Sequence, residues 1–204
     1  MQATGSAFVR PARPSDAAGV AAIGKVAVPE TYASLCHPTV IRSIVDQSYA
    51  VDALRDSIGR CARAEDALFL VAERRGSVVG FLHYDCDGPR PELHRIYVDG
   101  RLKRRGIGAA LLEALHASLD EGDEYVLMVV ADNRPAVAFY ERHGLTCESE
   151  VDGVAYMREH MGVDFPDGTP PVPALVLRFE KHSTTEEARH ESVHGGAAPA
   201  GLPA

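Results

Sequence analysis

The sequence predicts a single α/β (α+β) domain: a mixed, mostly antiparallel central sheet of about seven strands, flanked by helices on both faces. Three observations carry that expectation. Three strand-like segments follow one another at 67–74 (ALFLVAER), 77–85 (SVVGFLHYD) and 92–98 (ELHRIYV), separated only by short breaks. A strand–helix–strand run comes next and reaches a segment at 125–131 (YVLMVVA) that is apolar throughout, as a strand covered on both faces should be. The chain has 204 residues, 46% hydrophobic and 25% charged, which suits one sizeable core.

The elements follow in order. Phe8–Val9–Arg10 reads as a short first strand, and Ser15–Asp16 as the cap of a helix running to about Lys25. Residues 28–64 hold one or two further helices, with Val40, Ile44 and Val45 on one face, then Val51, Leu54 and Ile58. Ala67–Arg74 and Ser77–Asp85 form an antiparallel hairpin about the Arg75–Gly76 turn. Asp87–Gly88–Pro89 breaks the chain before the strand Glu92–Val98. Gly106 opens an amphipathic helix in which Ile107, Leu111, Leu115 and Leu119 recur every four residues. After the strand Tyr125–Ala131, Asn133 or Asp132 caps the next helix, Pro135 suits its first turn and Gly144 its end. Leu145–Val151 and Pro173–Glu180 are the last two strands, the final one expected at an exposed edge.

The folded domain is expected over residues 8–181, with 1–7 a flexible N-terminus. Residues 182–204 are small, polar and rich in Ala, Gly and Pro, the composition of a disordered tail. Twenty-one basic against 29 acidic residues give a net charge of −8, which argues against a nucleic-acid partner. No apolar run approaches the roughly 18 residues of a membrane span, and the N-terminus lacks a secretory signal. A cytoplasmic protein with no membrane partner is the expectation. The four cysteines are scattered and expected to be reduced, and no Cys/His spacing suits a metal.

The sharpest local feature is Lys103-Arg104-Arg105-Gly106-Ile107-Gly108-Ala109, between a strand and a helix. The glycines let an anion approach the backbone, and the first N–H groups of a helix are unpaired and partly positive. With Arg101, four basic residues in five positions reverse the sign of an acidic chain locally. The dinucleotide pattern fails because Leu111 stands where its third glycine belongs, and the P-loop's Gly-Lys-Ser/Thr is absent.

Further on stands Asn133-Arg134-Pro135-Ala136-Val137-Ala138-Phe139-Tyr140-Glu141-Arg142-His143-Gly144-Leu145. Together the two segments resemble the GNAT superfamily of N-acetyltransferases. The first is similar to its acetyl-CoA pyrophosphate loop, Arg/Gln-x-x-Gly-x-Gly/Ala, and the second to its N-x-x-A-x-x-F-Y-x-x-x-G-F/L block. Lys103 replaces the usual Arg or Gln and Leu145 the commoner Phe, both mild departures. The resemblance covers roughly residues 7–151 and returns at the final strand.

That resemblance implies an acetyl-CoA-dependent N-acetyltransferase, in which a primary amine attacks the thioester directly while both substrates are bound. The backbone of Ile96, Tyr97 and Val98 should hold the pantetheine arm, one of these amides polarising the thioester carbonyl. The amides of Arg104 to Ala109 should hold the pyrophosphate, and Asn133 the cofactor arm. Tyr140 matches the family's general acid, protonated at neutral pH; without the motif it would read as a core aromatic beside Phe139. Glu92, at the start of its strand, is the candidate base. His94 lies two residues on, hence on the same strand face, and is able to share that role. Glu30 and Tyr32 fall where the family places a loop walling the acceptor pocket.

The acceptor is expected to be a small amine, with a protein amine as the other option. The rival function is a catalytically silent acyl-CoA-binding regulatory module on the same fold. A homodimer is a family habit. Residues 152–171 form an unusually long connection, with Asp152 as cap of a helix containing Val154, Met157 and Met161 and Gly162 as its stop. This segment should line the acceptor site or pack a dimer.

Overall fold

The structure is a computed structural model and describes residues 7–182. The expected tail from residue 183 on, and the N-terminus up to residue 6, lie outside the described residues. Strands β1 (Phe8–Pro11), β2 (Leu68–Arg74), β3 (Ser77–Asp85) and β4 (Glu92–Val98) form a continuous antiparallel meander. Between β1 and β2 run helices α1 (Ala17–Tyr32), α2 (Pro38–Ser48) and α3 (Val51–Cys61). Helix α4 (Ile107–Ser118) crosses over to β5 (Glu124–Val130), the single parallel neighbour of β4. Helix α5 (Arg134–Glu141), β6 (Thr146–Asp152), α6 (Gly153–His160) and β7 (Pro173–Glu180) complete the fold.

The strand order is β1-β2-β3-β4-β5-β7-β6. The final strand is therefore internal, against expectation: β7 pairs β5 over its whole length on one side and β6 on the other. The reason lies in the side chains. Ala174, Val176 and Leu177 of β7 are buried, whereas β6 is exposed along nearly its whole length and tolerates the edge.

Helices cover both faces. On one, Leu111, Leu112 and Leu115 of α4 are fully buried against Leu82, Tyr125, Leu127 and Leu177. Each such leucine contributes roughly 1.5–3 kcal/mol relative to exposure. On the other face, α1 and α3 pack Val20, Val28, Leu54 and Ile58 onto Phe69, Val71 and Phe81. β5 is covered on both sides, as its apolar composition requires: Tyr125, Leu127 and Val129 face α4, while Val126 and Val130 face the α6 side.

Helix α1 runs seven residues past the expected end at Lys25 and contains Pro29. Proline removes one helical hydrogen bond, but Ala27 and Val28 are 3% and 0% exposed, and their burial keeps the chain helical. The long 152–171 connection closes on itself. One oxygen of Asp152 accepts from the Val154 N–H, capping α6, and from the Val172 N–H, each at 3.0 Å. Gln47 of α2 ties down the same segment through reciprocal bonds to the backbone of Asp164, at 2.6 and 2.8 Å.

Candidate active site

Two features of β4 create the site. The first is an opening. β4 bridges β5 only at Glu92↔Val126, where the Val126 N–H donates to the Pro91 carbonyl at 3.0 Å. Beyond that point the two strands part. Ile96, Tyr97 and Val98 stay paired to β3 on one side and turn their other backbone groups toward the gap. The second is a bulge. His83 opposes Arg95 and Tyr84 opposes Leu93, so His94 is an extra residue on β4. Strict alternation would separate Glu92 and His94 from Arg95 and Tyr97. The bulge instead places all four on one cavity, while Leu93 and Ile96 join the core on the opposite face.

That cavity, of about 70 Å³, has room for a few waters or a small head group. Its floor is polar, made of Glu92, His94 and Arg95, and its walls are apolar. Gly153, Met157, Met161, Val163 and Val172 come from the long 152–171 connection and its junction with β7, which thus lines this cavity. Tyr32 and Tyr49 close it from the α1–α2 side.

Glu92 is 6% exposed, and burial pushes its carboxyl above the usual range against the opposing effect of His94. Tyr156 of α6 is within hydrogen-bonding reach of the same carboxylate. The Nδ1 of His94 lies 3.8 Å from Glu92 Oε1. His94 Nε2 bonds Asp85 Oδ1 at 2.9 Å. Behind Asp85 stands His83, whose Nε2 is 3.2 Å from Asp85 Oδ2. Arg95 bonds His83 Nδ1 at 3.1 Å and the Ser48 carbonyl at 2.7 Å. Its Nε–H is buried without a partner.

At the mouth of the β4–β5 gap stands the glycine segment. Arg104 and Gly106 both have left-handed backbones, with φ of +61° and +77°. They bend the chain sharply into α4, a shape that gathers N–H groups around an anion. Gly106 is the N-cap of α4 and has no side-chain cap bond; the first helical bond is from the Ala110 N–H to the Gly106 carbonyl, at 2.9 Å. The amides of Ile107, Gly108 and Ala109 precede it and have no carbonyl one turn back. A Cβ built on Gly106 meets nothing within 4 Å, so the approach is open. Lys103, Arg104 and Arg105 are exposed beside it, whereas Arg101 is held by Asp99 at 2.6 Å.

Asn133 is buried at the start of α5, within bonding reach of the Tyr32 hydroxyl. Tyr140 packs half-buried against Phe139 and the α4 core, not on the Glu92 cavity. Burial, with the Tyr32 phenol nearby, raises its hydroxyl well above 10. The structure thus gathers Glu92, His94, Tyr32 and Tyr97 at one cavity, with Asn133 and Tyr140 near Tyr32 but not lining that cavity. It does not bring Glu30 there. Residues 30–32 form the last turn of α1 rather than a loop, and two positions along a helix is a rotation of about 200°. Glu30 therefore faces Gly100 and a separate surface cleft. Sequence reasoning missed Asp85, His83, Arg95 and Tyr156. The available signal was titratable residues two apart on consecutive strands, His83/Asp85 and Glu92/His94. Among the described residues, no helix is long and apolar enough to cross a membrane, and no three His, Cys, Asp or Glu side chains cluster as metal ligands.

A sequence model of the acetyltransferase (GNAT) family matches residues 28–145. An uncharacterized N-acetyltransferase of Methanocaldococcus jannaschii is 36% identical over 100 residues, 45% of this chain and 44% of that protein. This chain therefore aligns with less than half of that relative. The spermidine N(1)-acetyltransferase of Thermoplasma acidophilum is 29% identical over 131 residues, 63% of this chain and 81% of the relative. Among solved structures, the PaiA N-acetyltransferase of T. acidophilum in complex with coenzyme A superposes with a TM-score of 0.66 at 22% identity, covering 86% of this chain and 99% of that one. At that identity the likeness is one of fold. The family match runs from within α1 to the end of the α5 segment, over more than half of the chain: this protein belongs to the GNAT family of acetyltransferases.

Proposed function

We propose that this protein is an acetyl-CoA-dependent N-acetyltransferase that passes the acetyl group to a primary amine by direct attack, with both substrates bound together. One observation carries the reading. The β4–β5 gap has an anion-binding helix start at its mouth, while the buried Glu92–His94 pair stands on the same strand. The chain's residues fit the cofactor: the amides from Arg104 to Ala109 suit the pyrophosphate, and the backbone of Ile96, Tyr97 and Val98 suits the pantetheine arm as an added strand. Acetyl-CoA supplies the activated acetyl thioester.

The remaining chemistry falls to side chains. Amines are mostly protonated at neutral pH, so a base must first remove a proton. The cavity offers two acceptors for it: the Glu92 carboxylate, made more basic by burial, and the His94 imidazole beside it. Tyr140, kept protonated, is the donor for the departing thiolate. The small cavity and its apolar walls favour a slender amine over a bulky one. A homodimer is also proposed, with the exposed edge of β6 as its surface.

The test is CoA release from acetyl-CoA across a panel of polyamines, amino acids, aminoglycosides and peptides, with the four cysteines subtracted as background. Amine-dependent release should fall about 10²-fold or more in Tyr140→Phe, with acetyl-CoA binding retained. Unchanged turnover in that variant removes Tyr140 from the acid role. Acetyl-CoA binding with no release from any amine would favour the silent regulatory module.

A further inference from the structure

We propose that Asp85 is a positioning residue for the amine's base: by holding the Nε2–H of His94, it leaves the bare Nδ1 of His94 facing Glu92 and the acceptor cavity. The inference rests on the N-acetyltransferase reading and adds to it a residue outside the cavity floor. It follows from the direction of each hydrogen bond. A guanidinium only donates, so His83 Nδ1, 3.1 Å from Arg95, is an acceptor and the single proton of neutral His83 sits on Nε2. That Nε2–H then donates to Asp85 Oδ2 at 3.2 Å. Burial holds His83 neutral, pushing it down to about 4.

Asp85 Oδ1 also accepts from the Asp87 backbone N–H at 3.2 Å, so both carboxylate oxygens are held and the group does not rotate. Burial opposes its charge, but the bonds from His83 and His94 outweigh burial and keep Asp85 ionised. An ionised carboxylate only accepts, so the 2.9 Å bond to His94 is donated by Nε2–H. The lone pair of neutral His94 is then on Nδ1. The chain Arg95→His83→Asp85←His94 thus selects the tautomer from behind, as a base is oriented by a third group in other nucleophile–base pairs.

Nδ1 and Glu92 Oε1 are 3.8 Å apart, too far to bond each other directly. An ammonium nitrogen seated between them reaches both. The step is balanced. One N–H bond of the ammonium breaks, its electron pair stays on the amine nitrogen, and the proton joins the His94 Nδ1 lone pair. The imidazolium so formed is compensated by Asp85 and Glu92. Asp85 and His94 also line a second cleft of about 530 Å³, together with the charged or titratable groups Asp56, Arg60, His83, Asp87, Arg95 and His160, and this cleft gives the proton a route to solvent.

The experiment uses the full chain, labelled with ¹⁵N-histidine, at neutral pH. In its neutral form the His94 imidazole should show a protonated Nε2 and a bare Nδ1 in the wild type. In Asp85→Asn, whose amide is able to donate, the Nδ1–H form should appear. In parallel, kcat with the best amine should fall about 10–100-fold in Asp85→Asn, with KM for acetyl-CoA unchanged. In a His94→Gln background Asp85→Asn should add nothing further, because the two act as one unit. A wild-type His94 with its proton on Nδ1 overturns the proposal even if Asp85→Asn does not fold. So does an active wild type whose kcat is unmoved by Asp85→Asn, or a multiplicative double variant. A wild type that acetylates no amine overturns the enzymatic reading itself, a result separable from the tautomer spectrum.

Discussion

Replacing Gly24 by alanine should destabilise the protein, although alanine is the better helix former. Gly24 lies in the middle of α1, and a Cβ built there falls 2.0 Å from two ring carbons of Tyr49. Carbon atoms pack at about 3.5–4.0 Å, so helix or ring must yield by roughly 1.5 Å. The ring has nowhere to go: Tyr49 is 1% exposed, with Phe81 and Tyr97 edge-on at 6.2 and 6.4 Å and the Arg95 guanidinium 5.6 Å above it. Overpacking of this kind costs about 1–3 kcal/mol, against a helix-propensity gain of about 0.5–1 kcal/mol. The net expectation is a loss of about 1–2 kcal/mol, or a Tm lowered by about 2–8 °C for a domain of this size. Gly59, in α3, is the control. A Cβ there meets only the end of the Arg63 side chain at 3.5 Å, so Gly59→Ala should gain about 0.5–1 kcal/mol. Thermal unfolding of both variants by circular dichroism decides the matter. Because Tyr49 and Arg95 line the cavity, Gly24→Ala should also raise KM for the amine while leaving acetyl-CoA binding intact. A Tm for Gly24→Ala equal to or above wild type would refute the claim that the Tyr49 ring is locked.

Acid should weaken the fold through its buried histidines. Burial lowers both His83 and His116 from 6.5 to about 4. Below about pH 6.5 the unfolded chain takes up protons that the folded chain refuses until about pH 4, so stability falls as pH drops through that window. For His83 the loss approaches about 3 kcal/mol; His116, half-buried, contributes less. A His116→Gln variant should flatten the slope of unfolding free energy between pH 6.5 and 4, and an unchanged slope would count against the assignment. Asp152→Ala removes the acceptor for two backbone N–H groups, at Val154 and Val172. It should cost about 1–3 kcal/mol in urea unfolding and raise the amine KM, and an unshifted midpoint would mean the segment is held elsewhere. Gly106→Ala forces a side chain into φ +77° and should cost about 1–2 kcal/mol of stability and weaken acetyl-CoA binding in calorimetry; wild-type affinity would deny the loop its role.

The sequence by itself determined most of the elements and the glycine-rich start of α4. Those signals are local: apolar strand runs bounded by turn residues in 67–85 and before 92–98, a four-residue apolar repeat from Ile107 through α4, and a glycine N-cap beside basic residues. Each is written within a dozen consecutive residues, because backbone hydrogen bonding and capping act over one turn or one strand. The cavity on β4 was decided by tertiary structure. Sequence spacing paired Glu92 with His94 correctly, yet only the register with β3 shows the bulge that turns Arg95 and Tyr97 onto the same cavity. Asp85 becomes the partner of His94 through strand pairing, and Tyr156 that of Glu92 through the packing of α6. Glu30 and Tyr32 were separated by the continuation of α1 through Pro29, which the burial of Val28 enforces. The order β5-β7-β6 likewise follows from which strand has two faces to bury. Contacts between residues distant in sequence depend on register, twist and burial of the whole sheet, and these are properties of the packed chain rather than of any segment.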